Sequence, residues 1–342
     1  MPMTAPFSYG EKQMTNNTHK NKMVYIHHFF SKSALLLLII GASLMSACGE
    51  DNDDTVNIVN NNRNDVSTYP EAARKEFPKL KDNGNNIVIV HYTSNGEINY
   101  SVEWDVEKQS QRWSCYQIYA GNRSSNTSRY YGNPQYPFDP ELSSEIPYFG
   151  GDDPFKGSGF DHGHICPSAD RLNSAEANYQ TFFLTNMQPQ YNAFNAGVWA
   201  HMEDYMRSKI TKSSSDTLFI CKGGTIDNES QILMHRSNGL IVPKYFFMAA
   251  LLKRSESNIG AMGFYIEQRK VDDYDRTSDG TKYDLSPHVV NINELERLTG
   301  LDFFCNLPDD IEELVEGKSA DFLKSVWGPM VAPNLTIQKN GK

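Results

Sequence analysis

Six short runs rich in β-branched and aromatic residues restrict this chain more than any other feature of its sequence. NIVIVHYTS (86–94), INYSVEWDV (98–106) and RWSCYQIYA (112–120) follow one another closely, with SNGE as a turn between the first two. Runs of this kind, separated by turn residues, predict a meander of antiparallel strands. DTLFICKGG (216–224), IVPKYFFMAALLKR (241–254) and NIGAMGFYIEQR (258–269) predict further strands of the same sheet. Helical patterns are fewer: 174–186, 195–210, and a late pair at NINELERLTG (291–300) and DDIEELVEG (309–317). Strands and helices do not alternate regularly. The expected class is therefore α+β, with a largely antiparallel central sheet flanked by helices.

The first 47 residues stand outside that fold. In KNKMVYIHHFFSKSALLLLIIGASLMSAC (20–48), basic residues precede an apolar run at 34–40, and small residues follow it. That order reads as a secretory signal, with an apolar run too short to span a bilayer. LMSAC (44–48) resembles a bacterial lipobox. The resemblance implies lipidation at Cys48 and an exported lipoprotein held to a membrane by its acyl chains, on the periplasmic or cell-surface face of the outer membrane. Residues 48–68 are acidic and Asn-rich and read as a solvated tether, which leaves 69–342 as one domain.

The net charge of −10 argues against holding nucleic acid on a broad basic surface. Any phosphate chemistry must be local and assisted by a metal ion. Cys115, Cys166, Cys221 and Cys305 allow one or two disulfides in an oxidising compartment, and the absence of a CxxC pair excludes a zinc ribbon.

The stretch SGFDHGHICPSADR (158–171) is dense in chemistry: a metal cage, a catalytic base with its supports, or a polar loop. If extended, it turns His162, His164 and Cys166 to one side, as three of the ligands zinc accepts. Gly163 and Pro167 work against a continuous strand there. Downstream, NAFNAGVWAHMEDYMR (192–207) spaces Asn195, Trp199, Glu203 and Arg207 by four. On a helix these form one stripe that drifts by about 40° per step. The plain alternative is a solvated face with one core tryptophan and a Glu203–Arg207 pair.

Together the box, TFFLTNMQPQ (181–190) and NAGVWAHMEDYMR (195–207) resemble the DNA/RNA non-specific endonucleases of the ββα-metal superfamily, the secreted sugar-non-specific nucleases and endonuclease G. Their pattern is a DRGH box, a TNxxPQ segment and a helix reading N-x-G-x-W-x-x-x-E-x-x-x-R. ELERLTGLDFFCNLP (294–308) looks like the family's closing helix. The resemblance implies cleavage of phosphodiester bonds in DNA and RNA, with His164 as general base. Asn195 would be the protein ligand of one Mg²⁺, with Mn²⁺ as a substitute. Glu203 would orient water around the ion, and Arg207 would hold the phosphate. Asn186 and Gln190 would support the ion's water shell, and Asp161 the conformation of the box. One departure stands out: His162 occupies the place of the family's arginine, either as a protonated imidazole that shifts the activity optimum toward acid or as a packing or hydrogen-bonding substitute. A second family arginine, upstream of the box, has only Arg129 as a counterpart, at a different spacing. Two other readings follow from these points: a catalytically weakened relative that only binds nucleic acid or a partner, and a surface protein with a structural zinc site. EGKS (316–319) lacks the upstream glycine of a P-loop.

Overall fold

A computed structural model of the chain describes residues 59–146, 148–255 and 257–332. The leader with Cys48 lies outside the described residues. In chain order the elements are β1 (Asn86–Tyr92), β2 (Ile98–Asp105), β3 (Ser110–Tyr119), β4 (Asp161–His164), α1 (Ala175–Gln180), β5 (Met187–Gln190), α2 (Ala200–Arg207) and β6 (Thr217–Gly224). They continue with β7 (Ile232–His235), β8 (Ile241–Pro243), β9 (Tyr245–Ser255), β10 (Asn258–Glu267), β11 (Val289–Val290), α3 (Ile292–Thr299), α4 (Asp309–Glu316) and α5 (Ala320–Trp327).

Seven strands form one sheet in the order β1-β2-β3-β6-β9-β10-β11, each neighbouring pair antiparallel. The α+β expectation is met. Strand β9 shows how the sheet serves two cores. Phe246, Met248, Ala250 and Leu252 enter one hydrophobic cluster, while Phe247, Ala249 and Leu251 enter another. Alternate side chains leave opposite faces of a strand. Each large apolar side chain buried this way contributes about 1.5–3 kcal/mol. The first core receives Phe194, Trp199, Met202 and Tyr205 from the α2 region and Leu323 and Trp327 from α5. The second receives Ile292 and Leu295 from α3, Val315 from α4, and Ala72 and Phe77 from the N-terminal segment.

Several boundaries differ from those expected. The run 241–254 is two strands, because Pro243 has no N–H to continue a central ladder; β8 pairs with β7 and only β9 joins the large sheet. The helix expected over 174–186 stops at Gln180; Ser174 caps its start, with Oγ accepting from Ala177 N at 3.0 Å. Beyond it, the Thr181 carbonyl accepts from Asn186 Nδ2 instead of continuing the helix. The helix expected over 195–210 is a π-type turn at Phe194–Trp199 followed by α2. Gly197 breaks the helical conformation inside that turn, and a Cβ there would lie 2.8 Å from the Tyr283 hydroxyl.

The end of the expected tether is packed against the domain. Asn64 is buried and donates to the carbonyls of Ala72 and Pro78, and Asn60 donates to that of Cys305 at 3.1 Å. The four described cysteines are free thiols, all buried. Cys115 and Cys221 face each other across β3 and β6, while Cys166 and Cys305 belong to opposite sides of the sheet.

Candidate active site

β4 and β5 form a two-stranded ribbon on the first core, with Asp161 opposite Gln190 and His164 opposite Met187. The ribbon packs closely at Gly163, where a Cβ would sit 2.3 Å from Gln190 Cδ and would force that side chain to move. Strand geometry ends at His164. Beyond it Asn186 grips the chain at Cys166: its Oδ1 accepts from Cys166 N at 2.8 Å and its Nδ2 donates to Cys166 O at 2.9 Å. That grip breaks the alternation expected through the box. His162 and His164 both line one cleft, while Cys166 is buried in the first core. Among the described residues no three His, Cys, Asp or Glu side chains gather as a metal site, so the three-ligand zinc reading of His162, His164 and Cys166 is corrected.

The cleft has a volume of about 390 Å³, and its lining includes Arg129, Tyr136, Asp161, His164, Asn195 and Glu203. His164 Nε2 is buried and has no hydrogen-bond partner among the described residues. Burial, followed by the positive charge of Arg129, holds the His164 pKa well below its ordinary value, so the ring is neutral at physiological pH. Asn195, at the start of the π-type turn, donates from Nδ2 to Asp161 Oδ2 at 2.9 Å. Asn192 donates to the same oxygen at 2.9 Å. Asp161 thereby fixes the orientation of the Asn195 amide and leaves its carbonyl oxygen without a protein partner among the described residues. A π-type turn in this position is a frequent mark of a functional site.

Glu203 projects from α2 toward the cleft and meets Lys222 of β6 in a short ion pair beneath it. Burial raises the Glu203 pKa, opposed by the charges of Lys222 and Arg207. Arg207 does not line the cleft. Its Nε donates to Asp170 Oδ1 at 2.5 Å and a terminal nitrogen donates to Asp204 Oδ1 at 2.8 Å. Arg207 thus clamps α2 to the end of the box. Asp170 is buried, yet Arg207, Arg171 and Lys222 outweigh that burial and hold its pKa below the ordinary value.

Arg129 is the arginine that faces the cleft. It stacks on the Phe182 ring, 4.7 Å from its centre, and has no carboxylate partner among the described residues. Its loop is held by Asn178, whose Oδ1 accepts from Tyr130 N at 2.8 Å while its Nδ2 donates to the Ser168 carbonyl at 2.9 Å. His162 is sandwiched between Tyr136, at 3.7 Å between ring centres, and Phe155, at 4.5 Å. Its Nε2 lies 3.0 and 3.1 Å from the two carboxylate oxygens of Asp153. Gln190 lies under Gly163 with its buried amide unpartnered among the described residues, and it does not line the cleft. Sequence reasoning missed Lys222, Asp153, Tyr136 and Asn178. Only Lys222 left a signal: a lone cation inside the apolar run LFICKGG (218–224).

Comparison with known proteins agrees with this architecture. A model of the DNA/RNA non-specific endonuclease family matches residues 83–310. A nuclease from Nostoc sp. is 30% identical over 164 residues, covering 48% of this chain and 57% of that protein. Human mitochondrial endonuclease G is 29% identical over 161 residues, covering 45% of this chain and 51% of that protein. The chain therefore spans little more than half the length of these relatives. A chain in the crystal structure of the EndoG/EndoGI complex superposes with a TM-score of 0.51 at 19% identity, over 68% of this chain and 91% of that one, and so shares the fold. With two thirds of its length matched by the family pattern, the chain belongs to the DNA/RNA non-specific endonuclease family.

Proposed function

We propose that this protein is a Mg²⁺-dependent endonuclease that hydrolyses phosphodiester bonds of DNA and RNA with little sequence preference. The observation that carries the reading is the meeting, in one cleft, of the neutral His164 ring with an Asn195 side chain oriented by Asp161. The donor set fits a hard divalent cation that keeps much of its water: one neutral carbonyl oxygen, with the Glu203 carboxylate lining the same cleft. Asn195 would hold that ion. When bound, Mg²⁺, or Mn²⁺ in its place, neutralises charge building on the phosphate and its leaving oxygen.

The chain's own residues supply the rest. The His164 ring takes the proton from the attacking water, a role that needs a neutral imidazole. Arg129 holds a phosphate oxygen as a charged donor without a competing carboxylate. Glu203 orients water in the cleft, and Asp161 keeps the Asn195 amide from flipping. Cleft-lining Arg129 explains how an acidic protein handles a polyanion: the positive charge is local.

The test incubates the purified domain with plasmid DNA and with RNA, in Mg²⁺ or in EDTA, beside His164→Ala. Metal-dependent cleavage of both substrates is expected, with a loss of about 10³-fold or more in His164→Ala. Binding without cleavage would instead favour the weakened relative, a reading that the Asp153 contact to His162 keeps open, because it occupies the ring nitrogen a phosphate would use. The anchoring reading at Cys48 is also proposed: an exported lipoprotein on a membrane face. Cys48→Ser is expected to move the protein from the membrane fraction to the soluble one, and an unchanged distribution would end it.

A further inference from the structure

Lys222 lies on β6 among Leu218, Ile220 and their neighbours, on the face of the sheet beneath the cleft, and is 0% exposed. Its ammonium meets Glu203 Oε1 and sits 4.8 Å from the centre of the Trp199 ring. Glu203 is its one carboxylate partner among the described residues. Burying an ammonium is expensive, and a well-packed apolar residue in its place is often at least as stable. Fold stability therefore does not account for a lysine at the centre of an otherwise apolar strand. Trp199 ends the π-type turn that carries Asn195 and Glu203 lies in α2 directly after it, so one cation touches both elements.

We propose that Lys222 is a positioning residue of the nuclease site: by holding one oxygen of Glu203 and the face of Trp199 from below, it sets the Glu203 carboxylate and the Asn195 turn for cation binding. This rests on the reading of the cleft as a metal-dependent nuclease site. The arrangement works through the second oxygen of Glu203, which is left for the cleft while the first is tied down. Lys222 itself touches neither substrate nor ion.

The experiment is a double-mutant cycle of Lys222→Met, Glu203→Gln and their combination. Mn²⁺ affinity is read by electron paramagnetic resonance, kcat and KM on plasmid DNA, and folding by thermal unfolding. Lys222→Met is expected to weaken Mn²⁺ binding by roughly tenfold and to lower kcat by roughly 10²-fold, the range for residues that orient a metal site from behind. KM for DNA should stay within about threefold, which a general loosening of the domain would not give. The double variant should be no worse than the weaker single, because both changes undo one arrangement. A folded Lys222→Met with Mn²⁺ affinity and kcat within threefold of wild type would overturn the proposal, as would losses that multiply in the double variant. Should Lys222→Met fail to fold, the double variant leaves no buried charge unpaired and is compared with Glu203→Gln. Equal Mn²⁺ affinity is expected, and a further tenfold loss would overturn the idea. A wild-type domain that binds Mn²⁺ but cuts nothing would sink the nuclease reading instead, and the affinity cycle would still decide the role of Lys222.

Discussion

On the cleft side of the sheet, buried acids meet bases: Asp170 is bound by Arg207, and Glu203 by Lys222. On the other side, among α3, α4 and the segment around Asn62, Glu296, Asp302, Glu312 and Glu316 face chiefly one another. Asn62 Nδ2 donates to Glu312 at 2.8 Å and to Asp302 at 3.3 Å, and Glu316 Oε1 is buried with no partner among the described residues. The consequences are opposite. Asp170 is held ionised, whereas burial followed by like charge lifts Glu296 and Glu312 to about 7 and Glu316 to about 9. At Asp170 the opposing charges outweigh burial, whereas at Glu203 burial still prevails over Lys222. The carboxylate cluster titrates across the neutral range and couples pH to stability.

The strongest way to break that contrast is to remove a base from the cleft side. Arg207→Met leaves Asp170 buried without its main partner and should cost about 3–5 kcal/mol in denaturant unfolding. Unchanged stability with a tenfold higher KM would return Arg207 to the phosphate-binding role its place in the sequence suggested. A smaller effect is expected from Arg129→Ala, which removes the cleft arginine without a carboxylate partner. It should lower kcat/KM by about 10- to 100-fold, roughly 1.4–2.8 kcal/mol, with thermal unfolding unchanged. An equal loss in stability would show that Arg129 serves the fold.

The smallest effect sharpens the other side. A carboxyl with a raised folded pKa stabilises the protonated protein, so its contribution is full below about 4.5 and is lost as pH rises through the folded value. For Glu312 and Glu316 that window runs from about 4.5 up to about 7 and about 9. Glu316→Gln should therefore raise Tm at pH 8 by about 2–4 °C, flatten its decline between pH 5 and 9, and leave cleavage unchanged. An unaltered slope would mean that the cluster is more hydrated than its burial implies.

Much of this was legible from residues alone. The strand runs placed β1, β2, β3, β6 and β10 to within a few positions, because a period of two and turn residues are local signals. The box and the downstream helix pointed to His164 and Asn195, and both line the cleft. Spacing misled where the backbone departed from an ideal element. The four-residue stripe assumed an unbroken helix, but a π-type turn carries Asn195 and Trp199. The box assumed a continuous strand, but Asn186 diverts it before Cys166. The clamp on Arg207 was not legible, since nothing near it in the sequence announces Asp170, 37 residues away.

By itself the sequence determined the antiparallel frame, the nuclease-like motifs and the histidine and asparagine at their centre, because each is written in short-range periodicity or fixed spacing. The tertiary structure alone decided which charges are paired. Lys222 under Glu203, Asp170 against Arg207 and the mutually repelling acids around Glu316 are contacts between distant stretches. Their effect depends on how much water the packed chain excludes, and no local pattern encodes that.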